Sequence, residues 1–263
     1  MAEVLSNVRA SSVMRARRLL QNKFRSEENA FLVEGPQSAR EAALSGDTKD
    51  LFITPECADR YPEIVAAVEA HGGYVHLSDD EVIASLSSAV TPQGVVGVVR
   101  SSANTLDSVL KPGAKLVVAL AYVRDPGNAG SVIRVADAAG ATGVIASTES
   151  VDLHNPKVVR ASAGSLFHIP AVEEIDIADA IAKARELGMQ VFAADGSGEP
   201  FTTGVDLSVP TMWVFGNEAW GVPQEVLDAV DRVVSIPIYG RAESLNLATA
   251  AAVCLYASAQ AQQ

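Results

Sequence analysis

The sequence predicts an α/β fold, on three observations. Short apolar runs of strand length alternate with stretches of helix length along most of the chain. Two of those runs, Val95 to Val99 and Leu116 to Leu120, are apolar throughout, as suits strands buried on both faces. A polar joint at 101–113, ending in Lys111-Pro112-Gly113, separates two such patterns. Strands alternating with helices imply mostly parallel or mixed sheets covered on both sides.

The first pattern occupies residues 1–100. Val8 to Leu20 reads as a helix, Ala30 to Val33 as a short strand and Pro36 to Leu44 as a helix. Asp50 to Thr54 is a strand ended by Pro55. Glu63 to Glu69 is helical until Gly72-Gly73 breaks it, and Tyr74 to Leu77 is the next strand. The second pattern occupies 114–263. Its strands are Leu116 to Leu120, Gly143 to Ala146, Gln190 to Ala194, Thr211 to Phe215 and Val233 to Ile236. Ala129 to Ala139 is a helix closed by Gly140, and Ala178 to Leu187 one closed by Gly188. Asn155 caps a helix that starts at Pro156, since proline is tolerated at the first helical position. Ser244 is read as the cap of a long Ala-rich final helix.

With 263 residues, 48% of them hydrophobic, the chain suits one large domain or two small ones. No apolar run approaches the ~20 residues that span a bilayer, and Met1-Ala2-Glu3 leads into an Arg-rich helix rather than a secretory core. Cys57 and Cys254 lie far apart and form no metal-ligand spacing. Both read as small buried or half-buried residues in a reducing cytoplasm, and no metal is expected. The net charge of −12 argues against a nucleic-acid partner on its face. Its distribution softens that objection. Arg9, Arg15, Arg17, Arg18, Lys23 and Arg25, six of the chain's 20 basic residues, fall within residues 1–25 against Glu3 as the single acid. Such a stripe either contacts phosphates or is a solvated helix face.

Three constellations carry the chemistry. Asp125-Pro126-Gly127-Asn128-Ala129-Gly130 follows a strand and opens a helix, with Arg134 further along it. The G-x-G-x-x-G spacing is absent, which disfavours a dinucleotide site and an oxidoreductase. Arg134 sits among small apolar residues, either as a salt-bridge anchor or as a residue reaching into a site. The second constellation, Gly216-Asn217-Glu218-Ala219-Trp220-Gly221, follows a buried strand end, where open α/β sheets bind ligands. Its two glycines allow close backbone approach, and Glu218 places a charge at the rim. The third is Ile236-Pro237-Ile238 followed by Ser244-Leu245-Asn246-Leu247. Capping explains Ser244, but Asn246 in a first turn is a poor helix former.

In this order and register the patterns N-x-G-x-x-x-R, G-N-E-x-x-G and I-P…S-L-N resemble the three motifs of the SpoU (TrmH-type) branch of the SPOUT RNA methyltransferases. Asn155 to Ser162 looks like the family's middle segment. Residues around Phe31-Leu32-Val33-Glu34-Gly35 look like its L30e-like substrate-binding domain. The resemblance implies an L30e-like RNA-binding domain at 1–100, a linker at 101–113 and a catalytic domain at 114–263 folded as a deep trefoil knot, a topology otherwise almost absent from proteins. It implies S-adenosylmethionine held by Gly216, Asn217, Ile236 and Leu245, and a homodimer with RNA lying across both subunits.

The implied reaction is methyl transfer to a ribose 2′-OH, most of all in 23S ribosomal RNA. Arg134, Asn128, Glu218, Ser244 and Asn246 should surround that hydroxyl. A guanidinium is a poor proton acceptor, so Arg134 is expected to hold the RNA phosphate and stabilise the developing alkoxide. The rival readings are a transfer RNA 2′-O-methyltransferase and a non-catalytic RNA-binding ribosome-assembly protein.

Overall fold

The runs read as strands all form strands. The computed structural model describes residues 4–200 and 204–263; Met1, Ala2 and Glu3, which entered the reading of the N-terminus, lie outside them. In chain order the elements begin α1 (Ser11–Arg18), α2 (Asn22–Glu28), β1 (Ala30–Glu34), α3 (Pro36–Ser45), β2 (Thr48–Ile53), α4 (Pro55–Arg60), α5 (Pro62–Ala70), β3 (Tyr74–Leu77), α6 (Asp80–Leu86) and β4 (Val95–Arg100). They continue with α7 (Leu106–Val109), β5 (Leu116–Leu120), α8 (Pro126–Ala138), β6 (Gly143–Ser147), α9 (Pro156–Ser162), β7 (Ala171–Ile175) and α10 (Ile177–Glu186). The last are β8 (Gln190–Pro200), β9 (Thr211–Phe215), α11 (Gln224–Ala229), β10 (Arg232–Ser235) and α12 (Leu247–Ala261).

These elements form two units. The first joins residues up to Ala103 with His154–Phe167, and the second joins Asn104–Leu153 with His168–Gln263. The segment carrying α9, expected within 114–263, therefore packs with the first unit. The reason is apolar: Val159 is buried with Phe31, Val33, Ala42 and Val99. Residues 101–113, read as a linker, contain α7, whose Val109 is buried in the second unit's core.

The first unit is a four-stranded sheet in the order β1-β4-β2-β3. β4 runs antiparallel to β1 and β2, while β2 and β3 are parallel. Side chains alternate across it. Leu32, Phe52 and Val96 pack with Val13, Ala16 and Leu19 of the N-terminal helical segment and Ile83 of α6. Leu51, Ile53 and Val95 face Ala39 and Ala43 of α3 and Ile64 and Val68 of α5. A buried carboxylate, Glu34 (7% exposed), ends β1. It accepts from the Ser88 and Ala89 N–H groups at 3.2 and 3.3 Å, from the Ser87 and Ser88 hydroxyls, and from Arg160 Nη1 of α9 at 2.9 Å. A charge that far from water is tolerable only with such a full set of partners.

The second unit is a six-stranded sheet in the order β10-β8-β9-β5-β6-β7, with every pair parallel. Val117, Ala119, Ile145, Val191, Met212 and Val214 face the buried residues of α10. α8 and α12 pack against each other and both contact β5. Trp213 is fully buried in β9, edge-on to Phe192 with ring centroids 5.5 Å apart. Its Nε1 donates to Ser258 Oγ of α12 at 2.9 Å, and both residues are 0% exposed.

Trp213→Phe should therefore cost about 1–3 kcal/mol for the unpaired Ser258 hydroxyl alone, beyond the cavity the smaller ring leaves. Urea unfolding at unchanged m-value measures it, and Ser258→Ala added to Trp213→Phe should cost less than the sum of the two. Cys254 of α12 is 1% exposed, and burial pushes its thiol up to about 12; Cys57 is half-buried.

Candidate active site

The polar cluster is assembled at helix starts and strand ends of the second unit. Asp125 caps α8, its side chain accepting from Asn128 N at 2.7 Å. That cap fixes the first turn of α8 and with it the Asn128 side chain. The cap of α12 is Asn246 rather than Ser244. Its Oδ1 accepts from Ala248 N and Thr249 N at 2.9 and 3.4 Å, and the helix begins at Leu247. This answers the poor helix propensity of Asn246, which stands just outside the helix.

Capping also orients the whole cluster. Since Asn246 Oδ1 accepts from backbone N–H groups, its Nδ2 must donate, and it reaches Asn128 Oδ1 at 2.9 Å. Asn128 Nδ2 then points the other way and donates to Glu218 Oε1 at 3.1 Å. The chain of donors ends on a carboxylate. Each amide has one allowed orientation, so the three side chains form a directed relay.

Glu218 rides on a tight knuckle after β9. Asn217 and Gly221 exchange backbone hydrogen bonds of 2.8 and 2.9 Å, and Asn217 Nδ2 donates to Tyr122 O at 2.7 Å. The knuckle folds back over Gly216. A Cβ there would lie 2.3 Å from Gly221 C and O and from Val222 N. Gly221 closes the turn at φ +76°, and a Cβ on it would meet Asp195 Oδ2 at 2.6 Å.

A cavity of about 470 Å³ opens beside this cluster, at the carboxyl ends of β9 and β10 and against Ala194, Asp195 and Gly196 in the middle of β8. Asn128, Gly216, Asn217, Glu218, Ile236, Ser244, Leu245 and Asn246 all line it. So do Val234 and Asp195, which sequence reasoning missed. Asp195 belongs to an excursion of β8, where the register with β10 jumps from Ala193 to Glu199. The Asp195-Gly196-Ser197-Gly198 string is a turn signal that could have marked it. Burial works to raise the pKa of Asp195. Hydrogen bonds from the Ser197 N–H and hydroxyl and from the Val222 N–H outweigh it and hold the carboxyl below its ordinary range.

Arg134 stands apart from this group. It is exposed on α8, six residues after Asn128 and so about 9 Å along the axis, and it does not line the cavity. The N-terminal stripe also differs from expectation at one position. Arg9, Arg15, Arg17, Arg18 and Lys23 are exposed. Arg25 is 5% exposed and donates to Leu19 O at 2.9 Å, so burial takes it off that surface. Arg15, Arg18 and Lys23 pair loosely with Asp50, Glu28 and Glu27 at 3.7–3.8 Å. The Arg18 and Lys23 pairs are exposed enough to hold their cations weakly and leave them exchangeable, whereas the Asp50 partner of Arg15 is buried.

Residues 115–256 match the sequence profile of the SpoU rRNA Methylase family, and residues 10–97 match that of the MRM3-like substrate binding domain. The 23S rRNA (guanosine(2553)-2'-O)-methyltransferase RlmP of Bacillus subtilis is 31% identical over 242 residues, covering 91% of this chain and 92% of its own length. The crystal structure of an AdoMet-bound rRNA methyltransferase from Sinorhizobium meliloti superposes with a TM-score of 0.86 at 34% identity, over 98% of this chain and 97% of that one. The AdoMet complex of the SpoU methyltransferase AviRb from Streptomyces viridochromogenes gives a TM-score of 0.83 at 29% identity, over 96% and 98%.

Proposed function

The chain belongs to the SpoU rRNA methylase family, and on that premise we propose that it transfers a methyl group from S-adenosylmethionine to a ribose 2′-OH of 23S ribosomal RNA in the cytoplasm. The observation that carries this reading is the Asn246–Asn128–Glu218 relay at the rim of the cavity. The cavity suits the cofactor. Its volume is ample for a nucleoside. Val234, Ile236 and Leu245 offer apolar walls, and Gly216, having no Cβ, lets the Gly221–Val222 backbone fold tightly over it at the edge of the cavity. Gly216, Asn217, Ile236 and Leu245 would hold it.

When bound, S-adenosylmethionine supplies an activated sulfonium methyl donor. The protein's work is then alignment and charge. The relay fixes Glu218 and Asn128 as an acceptor and a donor of set direction, able to orient a hydroxyl in line with the methyl group. Ser244 adds a further hydroxyl to the cavity wall. Asp195 brings an ionised carboxylate suited to the cationic end of the donor. Arg134 holds the RNA phosphate and stabilises the developing alkoxide. In this proposal the proton leaves to RNA or solvent, because a guanidinium makes a poor base.

The reading includes a homodimer and a trefoil knot in the second unit. What supports the dimer is the exposed α8–α12 face. Val253 and Tyr256 are 37% and 46% exposed on α12, Tyr256 Oη reaches Ala138 O at 3.5 Å, and Arg134 is exposed on the same α8. Pairing two such faces would place Arg134 of one copy where it can serve the other. No helix among the described residues is long and apolar enough to cross a membrane.

The test is incubation of the full chain with methyl-labelled S-adenosylmethionine and total RNA, followed by mapping of the labelled nucleotide. Label on a 23S ribose supports the reading. Label confined to transfer RNA selects the rival substrate, and no label on any RNA defeats the activity. RNA should also be gripped by the N-terminal stripe. Deleting residues 1–25 would remove Val13, Ala16 and Leu19 from the core, so charge reversal is the cleaner probe. Arg9→Glu with Arg17→Glu should reduce RNA affinity at least tenfold and flatten the salt dependence by about 2 in slope. S-adenosylmethionine binding, followed by calorimetry, should not change.

A further inference from the structure

The chain has two tryptophans, and their settings are opposite. Trp213 is fully buried, while Trp220 is 53% exposed. The exposed one is nevertheless on a rigid support. The Asn217–Gly221 backbone pair brackets it, Asn217 Oδ1 accepts from Ala219 N at 2.8 Å, and Asn217 Nδ2 is tied to Tyr122 O. Arg124 lies against the indole with its guanidinium carbon 5.3 Å from the ring centroid. Arg124 Nη2 lies 3.3 Å from Glu149 Oε2, an exposed pair that leaves the guanidinium exchangeable.

Trp220 does not line the cofactor cavity. It stands two residues beyond Glu218, on the outer side of the same knuckle. A rigid, half-exposed indole with a cation over it offers a flat π-face and a positive charge together. That pairing matches a nucleotide, whose base stacks on aromatic rings and whose phosphate seeks arginine. A protein's own S-adenosylmethionine would be on the other side, inside the cavity.

We propose that Trp220 and Arg124 form a stacking platform for a nucleobase of the RNA substrate, next to the ribose presented to Glu218. This rests on the RNA methyltransferase reading. The platform would read no base identity, since every base has a π-face. It would hold the strand unstacked, so that the target ribose can enter the cleft.

The experiment uses the full chain and a labelled single-stranded adenylate dodecamer at low salt. Titration should quench tryptophan emission in the unmodified protein, and Trp220→Phe, which keeps buried Trp213, should lose the quench. By anisotropy, Trp220→Ala should bind the dodecamer at least about tenfold more weakly, while Trp220→Phe stays within about threefold, the ring being retained. S-adenosylmethionine affinity and sedimentation should be the same in all three.

Full dodecamer affinity in Trp220→Ala overturns the platform, as does an unmodified protein that shows no quench. Loss of the cofactor or a changed oligomeric state in Trp220→Ala also overturns it, because the indole would then be a structural or subunit contact. The two failures separate cleanly. Methyl transfer to total RNA with an unimpaired Trp220→Ala sinks the platform alone, whereas ring-dependent binding without any methyl transfer sinks the activity alone.

Discussion

Gly216→Ala is expected to weaken S-adenosylmethionine binding on the order of 100-fold, equivalent to about 2.7 kcal/mol. The added methyl would sit 2.3 Å from three backbone atoms of Gly221 and Val222. No flexible side chain is available to yield, so the knuckle itself must lift. Lifting it breaks the Asn217–Gly221 pair and displaces Val222 N from Asp195. The cofactor wall and the Glu218 rim therefore fail together. Calorimetric titration measures the affinity, and a thermal melt should show a loss of several degrees. Near-normal affinity would mean that the cofactor does not lie against this backbone. Gly240→Ala is the control, because a Cβ at Gly240 meets nothing within 4 Å.

Asn128→Ala is expected to cut turnover by roughly 100- to 1,000-fold, the size seen when one preorganised polar group is lost from an active site. Its side chain is the middle of the relay, so both the bond from Asn246 and the bond to Glu218 vanish at once. Cofactor affinity should change much less, because the apolar wall and Gly216 are untouched. Asn128→Asp is more telling than the alanine. An aspartate can still accept from Asn246, but it cannot donate to Glu218 and faces it with like charge. If single-turnover rates of Asn128→Asp match the parent, a directed relay is not part of the chemistry. Asn246→Ala carries a second penalty, since it also removes the cap of α12, worth about 1 kcal/mol.

Much of this was legible in the sequence, for identifiable reasons. The central strands were clear because burial on both faces demands unbroken apolar runs, as in Leu116–Leu120, which is buried at every position. The short elements were not clear. α4 begins at the Pro55 that had been read only as the end of a strand; Thr54 caps it, and the helix has no buried residue to give it a pattern. β7, with sequence Ala-Val-Glu-Glu-Ile, has two acids within five residues.

Within the candidate site, Asn128, Glu218 and Asn246 were marked by their resemblance to the family's motifs, but their wiring was not. Serine and asparagine both cap helices, and only the backbone path decides that Asn246 rather than Ser244 does so here. The burial of Arg25 depends on a contact with the Leu19 carbonyl that no periodicity reveals. Asp195 escaped because its strand continues past a jump in register. Val159 was seen as part of a helix, but nothing local says that it packs on β1.

The bond from Asn246 to Asn128 closes a separation of 118 residues. At a synthesis rate of about 5–20 residues per second, the ribosome makes the second partner roughly 6–24 s after the first. For most of that interval Asn128 has neither mate, since Glu218 follows it by 90 residues, and the Ile236 and Leu245 wall comes later still. The relay and the apolar wall beside it therefore cannot assemble until the chain has been made as far as Asn246, and the cavity closes late in the synthesis of the second unit.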